Sequence, residues 1–196
     1  FIGLSIGANV LVAQYYGARK LRDLEETVHT AILLSAAGGV FLIFMGGLLA
    51  NPILSLLGTP DDVLPLSALN MKIFFLGMPA TLTYNFGSAV LRAVGDTKRP
   101  LYFLLFAGVI NVILNLVFVI VFSMGVAGVA LATVISQCVS AILILRCLAR
   151  CDAAYKLQRD KLKISIRKLG LIAKIGLPAG FQGAIFSISN VLIQSS

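Results

Sequence analysis

The amino-acid sequence predicts an all-α, polytopic membrane protein, and three observations lead to this fold class. Hydrophobic residues make up 59% of the 196 residues and charged residues only 12%, which excludes a disordered chain and is unusual for a soluble domain. Uncharged apolar runs recur at the length of about 20 residues that crosses a hydrocarbon core. Lysine and arginine are concentrated in alternate gaps between these runs, as the positive-inside rule predicts for membrane helices.

Six membrane-spanning segments are expected, with a basic linker at 149–171 between the fifth and the sixth. Each segment is an apolar run bounded by polar or charged residues. They are assigned to residues 1–16, 28–50, 60–91, 101–122, 126–148 and 172–196. Because the sequence opens and closes within apolar runs, we expect it to be an internal piece of a longer protein.

The first two spans are joined by a charged loop at 17–27. In the first span, Gly3 and Gly7 have the small-xxx-small spacing that lets a neighbouring helix approach closely. His29 is the only histidine in the sequence, so we expect a solvated residue at a helix end rather than a metal ligand or a proton relay. The second span is expected to end just before Pro52, because proline interrupts the helical hydrogen-bond ladder.

The third span is expected to begin with Thr59 as N-cap and Pro60 in the first helical position. Asp61 and Asp62 then lie at the positive end of the helix dipole. A catalytic pair of carboxylates is disfavoured, because adjacent side chains point to different faces of a helix. Pro79 lies inside this span and is expected to bend it.

The loop at 92–100 is expected to be a tight structural turn. Gly95 permits the helix to break, and Asp96 can hydrogen-bond back onto the turn. A phosphate-binding loop would need more glycines and a preceding strand. Both neighbours of this loop are membrane helices, so the structural role is preferred.

Polar side chains recur on the fourth and fifth spans at helical spacing. Asn111 and Asn115 are four residues apart and therefore project from one face of the fourth span. An unpaired amide facing lipid is costly, so this face should point into the protein. Thr133 and Gln137 repeat the spacing on the fifth span. We predict that these four residues line a cavity for a cation or substrate; the alternative is that they pack helix against helix.

Nine lysine and arginine residues lie in and beside the linker at 149–171. Leu162, Ile166 and Leu169 recur among them at helical spacing, which predicts an amphipathic helix lying on an anionic leaflet. Beyond the linker, Pro178 interrupts the start of the sixth span and is expected to bend that helix.

The five connections carry three, none, three, none and nine lysine or arginine residues. Loops 17–27, 92–100 and 149–171 are therefore expected in the cytoplasm. The expected location is a plasma membrane of the bacterial inner-membrane type, which the chain crosses several times.

Other function classes are disfavoured by the distribution of charged and metal-binding residues. The net charge of +8 could indicate nucleic-acid binding, but the basic residues lie in short gaps rather than on one face of a folded domain. Three cysteines without histidine neighbours support neither a disulfide framework nor a metal site. A membrane-embedded enzyme would need clustered His, Asp, Glu or Cys at one depth, so no catalytic residue and no cofactor is expected.

Five short motifs carry a resemblance to a known family. In chain order they are GANVLVAQYYGARK, LRAVGDTKRP, NVILN, GVAGVALAT and KIGLPAG. Together they resemble the multidrug and toxic compound extrusion family of cation-coupled antiporters. The resemblance implies twelve helices in two six-helix lobes, of which this chain covers helices two to six and the start of helix seven. It also implies exchange of Na⁺ or H⁺ for cationic, amphiphilic drugs by alternating access.

The resemblance implies a polar cation site on helices one, five and six of the first lobe. The matching positions here are Asn111, Asn115 and Thr133. Asn115 stands where some members have aspartate, and the acidic residue that some carry on helix seven is matched near Phe186 and Ser187. The implied partners are a cationic small molecule, the lipid bilayer and the remainder of the transporter chain. The alternative is a flippase for lipid-linked sugars or polysaccharide from the same wider superfamily, which should carry charged residues in its cavity.

Overall fold

A computed structural model describes residues 1–56, 64–151, 155–158 and 163–195. These residues form seven α-helices and one short π-helical turn, with no strands. In chain order the elements are α1 (Ile2–Gly17), α2 (Leu21–Leu56), α3 (Leu64–Leu76), α4 (Met78–Ala93), α5 (Lys98–Leu116), the π-helical turn Val117–Val121, α6 (Gly125–Arg150) and α7 (Ile166–Ser195). The predicted all-α class is confirmed.

The chain divides into two compact units. Unit 1 consists of Phe1–Leu34, Asn85–Thr97 and Cys147–Ser196, and unit 2 of Ser35–Tyr84 and Lys98–Arg146. Helices α2, α4 and α6 each contribute residues to both units. The basic connections predicted at 17–27 and 149–171 belong to unit 1, whereas the polar residues of α5 and α6 belong to unit 2.

In unit 1, α1 packs on α7 through glycines. A methyl group on Gly3 would overlap the backbone of Gly176 and Gly180, and one on Gly7 would overlap the Ile172 carbonyl oxygen. Conversely, a methyl group on Gly176 would lie 2.7 Å from the Gly3 oxygen. Only glycine allows backbones to approach this closely, so the close approach predicted for Gly3 and Gly7 is confirmed. We call these four glycines and their contacts the glycine seam.

An apolar core lies beside the glycine seam in unit 1. It joins residues of α1, α2, α4 and α7 that are all more than nine-tenths buried. They are Ala8, Leu11, Ala31, Phe86 and Ile172. The core therefore fixes the first turns of α7 against the first two helices.

Helix α2 is longer than predicted. It begins at Leu21, within the expected charged loop, and it continues through Pro52 to Leu56, so the expected end before Pro52 is wrong. Proline removes only one N–H from the ladder, the one that would bond the Leu48 carbonyl. The remaining hydrogen bonds of a long apolar helix are enough to carry it through that gap.

The third expected span consists of two helices in its described part, α3 and α4. The helix breaks at Gly77, whose N–H bonds the Phe74 oxygen at 3.0 Å, and α4 starts at Met78. Pro79 follows directly and has no N–H to continue the ladder. A methyl group on Gly39 of α2 would lie 2.8 Å from the Pro79 nitrogen, so α2 packs tightly against this break. The predicted helix start at residues 59–62 lies outside the described residues.

Helix α7 begins at Ile166, six residues before the expected start of the sixth span. Ile166 and Leu169 therefore belong to its first turns and do not form a separate surface helix; that prediction is wrong, with Leu162 outside the described residues. The reason is Lys168, which is 1% exposed and contacts Asp23 of α2 and the Tyr15 ring of α1. Lys168 thus holds the first turn of α7 against α1 and α2, although Ile166 in the same turn is 83% exposed.

Four helices in the described part of the chain are long and apolar enough to cross a membrane. They are the segments Leu21–Ser55, Lys98–Val121, Gly125–Arg150 and Ile166–Phe186. Large apolar side chains are exposed along them, including Phe44, Leu105 and Ile120. Such exposure suits a lipid environment, where the backbone is satisfied within each helix. The chain is a multi-pass membrane protein.

Candidate functional site

Two asparagines of α5 lie one above the other, as their spacing predicts. Asn115 donates from Nδ2 to Oδ1 of Asn111 at 3.0 Å. Both residues are partly buried. This bond is the start of a chain of polar groups that runs from α5 to α6.

The chain continues to two hydroxyls on α6. Asn111 donates from Nδ2 to Ser136 Oγ at 3.3 Å and to Thr133 Oγ1 at 3.4 Å. Each hydroxyl donates its own proton to a carbonyl oxygen of α6, Thr133 to Val129 at 2.9 Å and Ser136 to Thr133 at 2.8 Å. Only their lone pairs are left, so both hydroxyls must accept from Asn111.

This directionality fixes the orientation of both amides. Because the Asn111 nitrogen faces the hydroxyls, its Oδ1 accepts from Asn115, and the Asn115 Oδ1 is left at the end. That oxygen is buried and has no hydrogen-bond partner among the described residues. Nearly all buried polar atoms in proteins are paired. A buried carbonyl oxygen without a donor can accept a hydrogen bond or coordinate a cation.

The polar chain borders a cleft of about 260 Å³ in unit 2. Of the predicted cavity residues, Asn111, Thr133 and Gln137 line this cleft, and Asn115 is joined to it through Asn111. Ser136 and Ser140 line it as well. No lining residue carries a charge, so the cleft offers neutral oxygen and nitrogen atoms.

The remaining predicted residues lie outside the cleft lining and are described by their place in the backbone. Pro79 is the second residue of α4, next to the helix break. Gly95 has a φ of +92°, which favours glycine, and the Asp96 N–H bonds the Leu91 oxygen at 2.9 Å. Pro178 lies within α7, which is helical on both sides of it.

Unit 1 contains a second polar cluster that the sequence analysis did not predict. Lys168 of α7 bonds Asp23 of α2 at 2.5 Å, and its nitrogen lies 4.0 Å from the centre of the Tyr15 ring of α1. Lys168 is one of nine basic residues in this region and looked like part of a solvated linker. Its position four residues before the apolar Ile172 is the signal that could have placed it on the buried face of α7.

His29 is buried, with 1% of its surface exposed, so the prediction of a solvated residue at a helix end is wrong. The Gln158 N–H donates to its Nε2 at 3.1 Å, and Nδ1 lies 2.7 Å from the Glu25 carbonyl oxygen. The Gln158 carbonyl oxygen also lies 3.1 Å from Nε2. A carbonyl oxygen can only accept, so Nδ1 donates to Glu25, and in the neutral imidazole Nε2 accepts from the Gln158 N–H. Nearby, the Ser165 N–H donates to Thr30 Oγ1 at 3.1 Å. Two described residues of the linker, Gln158 and Ser165, are thus bonded to α2.

The described residues contain no group of three or more His, Cys, Asp or Glu side chains that could hold a metal ion. The polar residues that line the described cleft are neutral amides and hydroxyls, which bind and orient but do not transfer protons at ordinary pH.

The MatE family model matches residues 1–117. Among curated proteins, the chain is 33% identical to the probable multidrug resistance protein YoeA and 30% identical to the probable multidrug resistance protein YpnP, both of Bacillus subtilis. It is 27% identical to the FAD transporter of Shewanella oneidensis. These matches cover 99% of this chain and 43%, 43% and 44% of the relatives. The chain therefore spans less than half the length of the relatives it matches.

Solved structures show the same fold. A crystal structure of a MATE protein in a bent conformation matches with a TM-score of 0.92 at 22% identity, covering 99% of this chain and 44% of that one. An outward-facing multidrug resistance MATE family transporter matches with a TM-score of 0.91 at 22% identity, covering 99% and 43%. An inward-facing one matches with a TM-score of 0.83 at 23% identity, covering 90% and 40%.

Proposed function

This chain belongs to the MatE family, whose members are membrane transporters and not enzymes, and from that premise we propose that it acts in a cation-coupled antiporter. The cargo would be a cationic, amphiphilic drug or xenobiotic, exported in exchange for Na⁺ or H⁺. The location would be a plasma membrane, with loops 17–27, 92–100 and 149–171 on the cytoplasmic side.

Export of drugs is supported by the two Bacillus subtilis relatives that are described as probable multidrug resistance proteins. The Shewanella oneidensis relative is described as an FAD transporter. FAD is an anion, so the relatives alone do not decide the charge of the cargo. The absence of cationic side chains around the described cleft of unit 2 favours a cargo without phosphate groups over FAD or a lipid-linked sugar.

One observation carries the proposal of cation coupling: the buried, unpartnered Oδ1 of Asn115 at the end of the polar chain. This oxygen is therefore available to bind a cation directly, or to accept a hydrogen bond from another group that binds the cation. An amide oxygen is a common ligand for hard cations, which take oxygen ligands. The function of Asn111, Thr133 and Ser136 would be to keep this oxygen pointing away from them.

The described oxygens suit Na⁺ better than H⁺. Amides and hydroxyls stay neutral across physiological pH, so the polar chain itself cannot take up a proton. Coupling to H⁺ would require a carboxylate from a helix outside this chain, to which Asn115 Oδ1 could accept a hydrogen bond. Coupling to Na⁺ would use the amide oxygen directly.

Alternating access is supported by the matched transporters, which were solved in inward-facing and outward-facing conformations. A protein that alternates between two such states couples ion and cargo because each binds one state better. In this proposal, ion binding near Asn115 and cargo binding in the cavity would favour opposite states.

The test uses the full-length protein in proteoliposomes that contain ethidium. An imposed Na⁺ or H⁺ gradient should drive ethidium movement by the wild type, and Asn115→Leu should abolish it. Val112→Leu serves as the matched control, because Val112 lies on α5 three residues away with 59% of its surface exposed. This control should transport at the wild-type rate.

The outcomes separate the candidates. If neither gradient drives movement of ethidium or another cationic dye, the antiporter is rejected, and movement of a lipid-linked sugar would support the flippase. If ethidium moves equally well with Asn115→Leu, the antiporter stands and Asn115 is a packing residue.

A further inference from the structure

The ammonium group of Lys168 lies in a cluster that resembles a receptor for an organic cation. It bonds Asp23 Oδ1 at 2.5 Å and lies 4.0 Å from the centre of the Tyr15 ring. The lysine side chain is 1% exposed, whereas the Asp23 side chain is 37% exposed. The cation is thus enclosed, while the carboxylate that binds it can be reached from solvent.

A carboxylate beside an aromatic face is a recognition set for ammonium ions in general. The carboxylate gives a charge-assisted hydrogen bond or ion pair, and the ring face attracts the cation through its quadrupole. Neither interaction depends on the cation being lysine. An alkylammonium ion, or an aromatic cation that carries amino groups, meets both requirements.

The three side chains come from three helices, and only one of them follows the linker. Tyr15 and Asp23 lie on α1 and α2, which are joined by residues 18–20. Lys168 lies on α7, which is held against α1 by the glycine seam. If α7 parted from α1, the ammonium group would leave with it, and the carboxylate and the ring would stay together.

We propose that Asp23 and Tyr15 form a binding site for an organic cation, which Lys168 occupies in this conformation and vacates when α7 separates from α1. The proposal rests on the proposed function and deepens it, because it assigns a site at which the cationic cargo first binds. Cargo and Lys168 compete for one site, so cargo binding favours separation of the helices.

The test is equilibrium binding of ethidium to the full-length protein in nanodiscs, followed by fluorescence. Lys168→Met removes the tethered cation but keeps the length of the side chain. Because a tethered competitor acts at an effective concentration of about millimolar or higher, ethidium affinity should rise about tenfold. Adding Asp23→Asn to Lys168→Met should reverse that gain.

Lys174→Met is the matched control, since Lys174 lies on α7 but is exposed; its ethidium affinity should equal that of the wild type. A second pair of variants applies if Lys168→Met does not fold. Tyr15→Phe keeps the ring face and should keep the affinity, whereas Tyr15→Leu should lower it severalfold.

The inference is overturned if folded Lys168→Met binds ethidium with wild-type affinity, or if Tyr15→Leu and Tyr15→Phe bind equally. Transport distinguishes this failure from that of the proposed function. If the wild type moves ethidium along an imposed gradient but these substitutions do not change ethidium affinity, only the Asp23 and Tyr15 site is rejected. No movement under either gradient rejects the antiporter and this site with it.

Discussion

Ser136 accepts a hydrogen bond from Asn111 at 3.3 Å, whereas Ser140, one turn further along α6, donates to the Gln137 carbonyl oxygen of its own helix. Both serines are buried. They therefore differ in their link to α5 and not in exposure, which makes them a matched pair.

Ser136→Ala should weaken the contact between α5 and α6. The Asn111 amide would lose its shorter acceptor, and the expected loss is about 0.5–2 kcal/mol in the free energy of unfolding. Ser140→Ala should change this free energy by less than half as much. The measurement is reversible unfolding in mixed detergent; equal effects of both substitutions would contradict the role given to Ser136.

Asn115→Asp should strengthen Na⁺ binding. A carboxylate at the position of the unpartnered oxygen adds a full charge to the site, so NaCl should raise the melting temperature more in Asn115→Asp than in the wild type. Choline chloride at equal concentration controls for ionic strength. If Na⁺ and choline have the same effect on both proteins, the cation site at Asn115 is excluded.

Gly39→Ala should destabilise the protein because Gly39 packs against Pro79. A methyl group there would lie 2.8 Å from the Pro79 nitrogen, and overpacking of this kind costs about 1–3 kcal/mol. Gly47, on the same helix, has no described atom within 4 Å of the added methyl. Gly47→Ala should therefore be neutral, or stabilising by up to about 1 kcal/mol. The measurement is the thermal unfolding of the two variants. If Gly39→Ala is as stable as the wild type, the tight contact between Gly39 and Pro79 is refuted.

His29 and Thr30 should hold the linker at two separate points. His29→Phe keeps a ring of similar volume but removes the acceptor for the Gln158 N–H, and Thr30→Val removes the acceptor for the Ser165 N–H. Hydrogen exchange should speed up by about tenfold or more at Gln158 in the first variant and at Ser165 in the second. Each variant is the control for the other. Simultaneous acceleration at both amides in either variant would show that the linker is released as one unit.

Local spacing was enough to predict the polar pair of α5. Asn111 and Asn115 are four residues apart, and a helix necessarily places such side chains together. On α6, spacing indicated Thr133 and Gln137, whereas Asn111 bonds Thr133 and Ser136, a choice that spacing could not make. That choice depends on how two helices are rotated against each other, which tertiary packing decides.

Contacts between distant parts of the chain were beyond sequence reasoning. Lys168 and Asp23 are 145 residues apart, and nothing near either residue indicates the other. The burial of His29 likewise depends on a linker residue 129 positions away. The expectation that a helix ends before Pro52 was wrong because a long apolar helix tolerates the loss of one backbone hydrogen bond. The neighbouring helix was interrupted at Gly77, just before Pro79, where glycine and proline act together.

The glycine seam has an entropic consequence. Its closest contacts are made by backbone atoms of Gly3, Gly7, Gly176 and Gly180, so forming it restricts no side-chain rotamer. Each leucine ordered in an ordinary interface would cost about 0.5–1 kcal/mol of rotamer freedom. Parting and rejoining the two helices at the glycine seam therefore requires no side chain there to find its rotamer again, whereas Leu11 and Ile172 in the neighbouring apolar core must repack.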